Sequence, residues 1–215
     1  MPAGKTSLAV GEIQFAAVIL GAGRSSRMGQ PKLLLPWGSG TILEHLIEQW
    51  LSVGASQVAV VVAADNSAVA DVVHRDGRAT CITNPDPDRG MFSSVRCAAE
   101  WGGWKPGITH WIISLGDQPH LQRTTLNKLI EVVRTNLEGV WQPRYPSHQG
   151  RRRHPVVLPG SAFHSLRQTG ATDLRSFLEL SSIMRLSVYI DDPGLEIDID
   201  TPEDYARARK LAGVE

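Results

Sequence analysis

The chain reads as an α/β protein, a mostly parallel sheet covered by helices on both faces in a three-layer α/β/α arrangement. Three observations carry that reading. Short apolar runs alternate with helical periodicities along the chain. Runs such as FAAVIL (Phe15 to Leu20) and HWIISL (His110 to Leu115) are too continuously apolar for strands with one wet face, and suit strands buried on both. With 215 residues, 42% of them hydrophobic, the chain can bury one sizeable core, so residues 1–215 are expected to form a single domain.

The elements follow in order. FAAVIL ends abruptly in glycine and is the first strand. Leu43, Leu46, Ile47 and Trp50 recur at helical spacing over residues 41–52, with Thr41 and Glu44 as a capping-box pair. Residues 57–62 (QVAVVV) form a strand, 67–73 a helix, 79–83 a short strand and 92–100 a helix, before the buried strand HWIISL. A helix over 124–135, strands at 139–142 and 154–158, helices at 161–166 and 174–180, and a strand at 183–189 continue the alternation. The last helix spans 202–211, with Thr201 as N-cap and Pro202 at its first position. No repeat, low-complexity tract or interdomain linker interrupts the pattern.

Ligands of open α/β sheets sit at the carboxyl ends of the strands, so the loops there are where chemistry is sought. The loop after the first strand, LGAGRSSRMGQPK (Leu20 to Lys32), combines three glycines with Arg24, Arg27 and Lys32 and contains no carboxylate. Gly21 and Gly23 are expected to take positive φ and gather bare N–H groups beside the fixed cations, which is chemistry for a polyphosphate. A solvated basic turn is the plainer alternative. The dinucleotide fingerprint fits poorly, because Ser26 stands at its third glycine and Asp65 lies about twice the usual spacing of about 20 residues away, which also demotes a nicotinamide-dependent oxidoreductase. A Walker A loop fails too: Gln30 and Pro31 separate Gly29 from Lys32, Leu33 replaces the hydroxyl, and the Gly4, Lys5, Thr6 triplet has no strand before it.

Four further segments stand out. Asp117, in GDQP (Gly116 to Pro119), is either a magnesium ligand or a turn-closing residue. In EIDIDTPED (Glu196 to Asp204), Glu203 and Asp204 suit the first turn of the last helix, whereas Asp198 and Asp200 would share one face of an extended segment. In GMFSSVR (Gly90 to Arg96), Ser93 and Ser94 either cap a helix or face a ligand. RRRHP (Arg151 to Pro155) is a solvated basic run or an anion site.

Residues 20–32 resemble, position by position, the LxxGxSxRMGxPK signature of the MobA-like nucleotidyltransferases, and LLLPWG (Leu33 to Gly38) continues the match. The resemblance implies a Rossmann-like nucleotidyltransferase fold of the GT-A type, its N-terminal half binding nucleotide and its C-terminal half an acceptor. It implies that Leu20, Gly21, Ala22, Gly23, Arg24, Ser25 and Lys32 wrap the NTP, that Arg27 and Lys32 neutralise its triphosphate, and that Ser93 and Ser94 line its base and sugar. LGDQP is similar to the motif of the molybdenum cofactor cytidylyltransferase branch, which implies Asp117 as a catalytic Mg²⁺ ligand, and the DIDTPED ending implies Asp200 rather than Asp198 as the second. RRRHP resembles the family's RGHPV element and implies that Arg152 and His154 meet the acceptor's phosphate. Arg153 departs from its glycine, and QTGATD (Gln168 to Asp173) departs from the family's GDxGAR, so the identity of the acceptor stays open. Ala22 and GDQP imply CTP rather than GTP as donor. A molybdoenzyme or maturation factor is the kind of protein partner implied.

Composition bounds the rest. Twenty-two basic residues balance 22 acidic ones, so no global field favours nucleic acid. Cys81 and Cys97 form neither a zinc pattern nor a disulfide framework, which points to a reducing, cytoplasmic setting. Residues 1–14 lack a sustained apolar stretch, so neither a signal peptide nor a membrane span is expected. Lys32, following Pro31 in a glycine-rich loop, is expected to matter for catalysis and little for folding.

Overall fold

A computed structural model describes residues 13–146 and 150–214; the amino-terminal readings, including the Gly4 triplet, lie outside the described residues. Nine strands and seven helices are described. In chain order they are β1 (Phe15–Leu20), the small hairpin β2 (Pro36–Trp37) and β3 (Gly40–Thr41), α1 (Ile42–Ser52), β4 (Gln57–Ala63), α2 (Ser67–Asp76), β5 (Thr80–Asn84) and α3 (Met91–Glu100). There follow β6 (His110–Leu115), α4 (Arg123–Val133), β7 (Val140–Arg144), β8 (Val156–Pro159), α5 (Gly160–Ser165), α6 (Leu174–Leu180), β9 (Arg185–Tyr189) and α7 (Pro202–Ala212).

Seven strands form one sheet in the order β5-β4-β1-β6-β8-β7-β9. The period-2 geometry of its buried strands divides the core in two. Ala17, Ile19, Val58, Val60 and Val62 face the layer of α1, α2, α4 and α7, whereas Ala16, Val18, Ala59 and Val61 face α3, α5 and α6. The three layers expected from the alternation are thus present. β1 pairs in parallel with β4 and β6, β4 with β5, and β7 with β9; β8 alone runs the other way, antiparallel to both β6 and β7. Only residues 145–155 separate β7 from β8, and a chain returning without a long crossover can only pair antiparallel. β8 begins at Val156 rather than at residue 154, because Pro155 has no N–H to give a ladder.

Both capping boxes form: Thr41 with Glu44 opens α1, and Thr201 with Asp204 opens α7, whose first residue is Pro202. The strand order reverses around β1. The chain moves outward through β4 and β5, then crosses through α3 to β6 on the other side, so the carboxyl ends of β1 and β6 bound the crevice where such sheets take ligands.

Candidate active site

The loops leaving β1 and β6 enclose a cavity of about 290 Å³. Gly21 donates its N–H to the Val61 carbonyl (2.8 Å) and Gly116 to the Leu20 carbonyl (3.1 Å), so each loop extends the sheet by one bond before turning away. A Cβ on Gly116 would lie 2.7 Å from the Leu20 oxygen, and one on Gly21 2.8 Å from Leu33 Cδ1. Glycine is required there because protein meets protein, not because a ligand approaches. Neither Gly21 nor Gly23 has positive φ; the left-handed residues of this loop are Ser25 (φ 50°) and Gly29 (φ 68°). Ser25 is held in that conformation with its Oγ accepting the Lys32 N–H at 3.1 Å.

Every cation of the acid-free loop finds a carboxylate from elsewhere. Lys32 Nζ donates to Asp117 Oδ2 (2.9 Å), Asp200 Oδ1 (3.2 Å) and the Ile199 carbonyl (2.8 Å), with only 15% of its side chain exposed. Arg27 is exposed, stands outside the cavity lining, and pairs with Asp200 Oδ2 at 2.9 Å. Arg24 lines the cavity mouth, where Asp88 grips it through two bonds (2.6 and 2.7 Å) and Asp65 through one (2.9 Å), holding the guanidinium more firmly protonated than usual. The charges that marked this loop as an anion site are therefore balanced within the protein.

Asp117 and Asp200 converge on one cation although 83 residues of sequence separate them. Asp117 Oδ1 is buried without a hydrogen-bond partner, an unspent hard oxygen of the kind a small divalent ion takes. Among the described residues no group of three or more His, Cys, Asp or Glu side chains gathers into a metal cage, so an ion here would rest on two carboxylates, with water and ligand oxygens supplying the rest. The residues present fit that role. Asp198 takes a different partner, accepting from Gln118 Nε2 at 2.9 Å, and its carboxyl titrates above the usual range because of desolvation in the cleft and the nearby charge of Asp117.

Leu20, Gly21, Ala22, Gly23, Arg24, Ser25 and Lys32 all line this cavity, as does Ser94. Ser93 does not: it faces a separate cavity with Arg96 behind the β5–α3 loop, and donates its hydroxyl to the Gly90 carbonyl at 2.8 Å. Neither serine caps α3, whose N-cap is Gly90 at φ 85°. Sequence reasoning missed Asn66, Pro87 and Met91 in the lining. Asn66 advertises itself only as the cap of α2, and Met91 carries no polar signal.

A second cavity, of about 780 Å³, opens between β7, β8 and α6. Met91 lines both cavities. Arg144, Arg151, Arg152 and Arg185 surround the second one, and the crowding lowers the Arg152 pKa, first through desolvation and then through repulsion from Arg144 and Arg185. Arg144 Nε is buried without a partner. His154 lines the same cavity but is not the cation its motif suggests. Burial lowers its pKa, and its Nδ1 lies 3.3 Å from the Ile113 carbonyl, which can only accept, so Nδ1 carries the proton and Nε2 is left as an acceptor. Arg153, at the position where glycine is usual, points away and forms a two-bond pair with Glu196 (2.8 and 2.5 Å).

The chain is 29% identical over 201 residues to the molybdenum cofactor cytidylyltransferase of Escherichia coli (strain K12), covering 90% of this chain and 94% of that protein. It is 36% identical to a probable molybdenum cofactor guanylyltransferase of Bacillus thuringiensis (strain Al Hakam), with 92% and 96% covered. It is 28% identical to the nicotine blue oxidoreductase of Paenarthrobacter nicotinovorans, with 88% and 94% covered. The crystal structure of Rv0371c from Mycobacterium tuberculosis H37Rv superposes with a TM-score of 0.72 at 28% identity, covering 92% of this chain and 98% of that one. Its complex with manganese gives 0.67 at 26% over the same shares. A family model for the MobA-like NTP transferase domain matches residues 17–186, most of the chain; the protein belongs to that family of nucleotidyltransferases.

Proposed function

We propose that the protein transfers a nucleotidyl group, cytidylyl in preference to guanylyl, from a magnesium-bound NTP to a phosphorylated small molecule of the molybdopterin type, releasing pyrophosphate. The observation that carries the reading is Lys32, which lines the smaller cavity beside Asp117 and whose ammonium joins Asp117 to Asp200, while the arginine-lined cavity adjoins at Met91. The donor anion would meet Lys32 and the paired carboxylates, and the acceptor anion the arginines of the larger cavity.

An entering triphosphate offers Lys32, Arg24 and Arg27 the oxygens that Asp117, Asp200, Asp65 and Asp88 now supply. A divalent ion, when bound on Asp117 and Asp200, supplies charge neutralisation to the phosphates. The acceptor's phosphomonoester, with a second pKa of about 6, is already a dianion at neutral pH and needs no general base. Its oxygen forms a bond to the α-phosphorus as the bond from that phosphorus to the bridging oxygen breaks, and the electron pair leaves with pyrophosphate. The protein's part is alignment and charge placement: Lys32 and Arg27 toward the donor, Arg144, Arg152 and Arg185 toward the acceptor. Neutral His154 would accept a hydrogen bond from the acceptor rather than pair with its phosphate. The product is then handed on in the cytoplasm to a molybdoenzyme or its maturation factor.

Guanylyl transfer is the second reading, favoured by the Bacillus relative. Ala22, 8% exposed in the lining, favours the smaller base, since its methyl narrows the space beside the loop. Purified protein with Mg²⁺ is expected to release pyrophosphate from CTP only when a phosphorylated acceptor is present, and to yield a cytidylylated mass. Release from GTP alone would move the assignment to guanylyl transfer. No release from any NTP in the presence of a molybdopterin acceptor would overturn the reading.

A further inference from the structure

A chain of hydrogen bonds behind the nucleotide cavity determines which way one hydroxyl points. Asn84, the last residue of β5, is 1% exposed. Its side-chain orientation follows from one contact: the Asp86 N–H, which can only donate, lies 2.9 Å from one terminal atom, so that atom is Oδ1. The amide nitrogen therefore faces α3, 2.8 Å from Ser93 Oγ and 2.9 Å from Ser94 Oγ, and spends both its hydrogens there. Each serine oxygen is committed as an acceptor. Ser93 discharges its own proton onto the Gly90 carbonyl, which also takes the Ser93 N–H at 3.1 Å and has no lone pair left. Ser94 has no such outlet. It is 3% exposed, its proton meets no acceptor among the described residues, and it lines the nucleotide cavity.

We infer that Ser94 donates its hydroxyl proton to an acceptor atom of the bound nucleoside, and that Asn84 is the positioning residue that enforces this polarity. The inference rests on the nucleotide-binding reading above and adds a rule to it. A ligand presenting a carbonyl, ring nitrogen or sugar oxygen satisfies the buried hydroxyl, whereas one presenting an N–H leaves the proton unmatched. The acceptor belongs either to the ribose or to the base, and both share this chemistry.

Asn84→Asp is a nearly isosteric test. A carboxylate still takes the Asp86 N–H, but it cannot donate, so both serine hydroxyls turn toward it and Ser94 loses its proton to the interior. Calorimetric titration with Mg²⁺ would compare CTP with its 2′-deoxy, 3′-deoxy and 2-thio analogues, on wild type, Ser94→Ala and Asn84→Asp. Because charge repulsion introduced by the aspartate acts on all four nucleotides alike, the readout is each analogue's affinity ratio to CTP. In wild type one analogue should bind about 10-fold more weakly, a ribose analogue or the thio base identifying the source, and both variants should bring that ratio close to one. Wild-type ratios that Ser94→Ala leaves unchanged would overturn the inference, as would an Asn84→Asp variant that keeps the wild-type discrimination. Should Asn84→Asp fail to fold, the Ser94→Ala ratios and the Ser94→Cys variant, a weak donor expected to fall between, still decide it. Wild-type protein binding no nucleotide at all would instead bring down the nucleotidyl-transfer reading itself.

Discussion

Replacing Lys32 with alanine removes one ammonium and strands three acceptors. The Asp200 carboxylate is 36% exposed and rehydrates, so its loss counts little. Asp117 is 21% exposed with Oδ1 already unpartnered, and the Ile199 carbonyl loses the Lys32 donor 2.8 Å away. A charge-assisted hydrogen bond contributes about 1.5 to 3 kcal/mol, and separating a partly buried pair leaves its other member uncompensated. Together these predict about 2 to 3 kcal/mol of destabilisation, or roughly 4 to 12 °C in melting temperature for a domain this long. The expectation that this lysine supports little of the fold is thereby corrected: its aliphatic stem is sheltered and its head ties the loop after β1 to those after β6 and before α7. Thermal unfolding in metal-free buffer measures the loss. Millimolar Mg²⁺ should restore more of the melting temperature in the variant than it adds to wild type, because two facing carboxylates without a cation favour an ion. Turnover should fall by about 10²-fold or more, comparable to deleting one preorganised electrostatic group. An unchanged melting temperature without metal would refute the bridging role, and unchanged turnover would refute the role toward phosphate.

Asp117→Asn and Asp200→Asn are each expected to abolish magnesium-dependent turnover, with the double variant little worse than either, since one ion would serve both; additive losses in single-turnover assays would contradict a shared site. Ala22→Gly should shift the CTP to GTP affinity ratio toward GTP, within the roughly 1 to 3 kcal/mol that one methyl commands in a pocket, and an unmoved ratio in calorimetry would remove Ala22 from specificity. His45, His110, His120 and His154 all have pKa values lowered, chiefly by burial. Their neutral forms are favoured on folding, so stability is full above the unfolded value of about 6.5 and declines as pH falls below it, until the folded groups themselves take protons. Denaturant titrations at neutral and mildly acidic pH should show that decline, and a flat profile would count against it.

Local chemistry was legible before any tertiary contact was known. The capping boxes at Thr41 and Thr201 depend on residues three apart, the buried strands on continuous apolar runs, and the β1 loop on a compact cluster of glycine and cation; all are short-range patterns. β8 was placed as an element but not in direction, because direction depends on the short link from β7 rather than on the strand's own residues. The positive φ expected of Gly21 and Gly23 was misread for a similar reason. Gly21 and Gly116 are small because each loop packs against its neighbour, a contact between segments far apart in sequence, while the left-handed backbone fell to Ser25 and Gly29.

What the sequence determined by itself is the α/β alternation, the family signature and the residue types at the carboxyl ends of β1 and β6, since periodicity and motif are properties of the chain. What only the tertiary structure decided is how those groups are spent. Asp200 rather than Asp198 meets Lys32, Arg24 is clasped by Asp65 and Asp88, Ser93 turns from the cavity that Ser94 enters, and Asn84 donates to both serine hydroxyls. Charge pairing and hydrogen-bond polarity are set by distances of about 3 Å between residues dozens of positions apart, and only the folded sheet brings them within that reach.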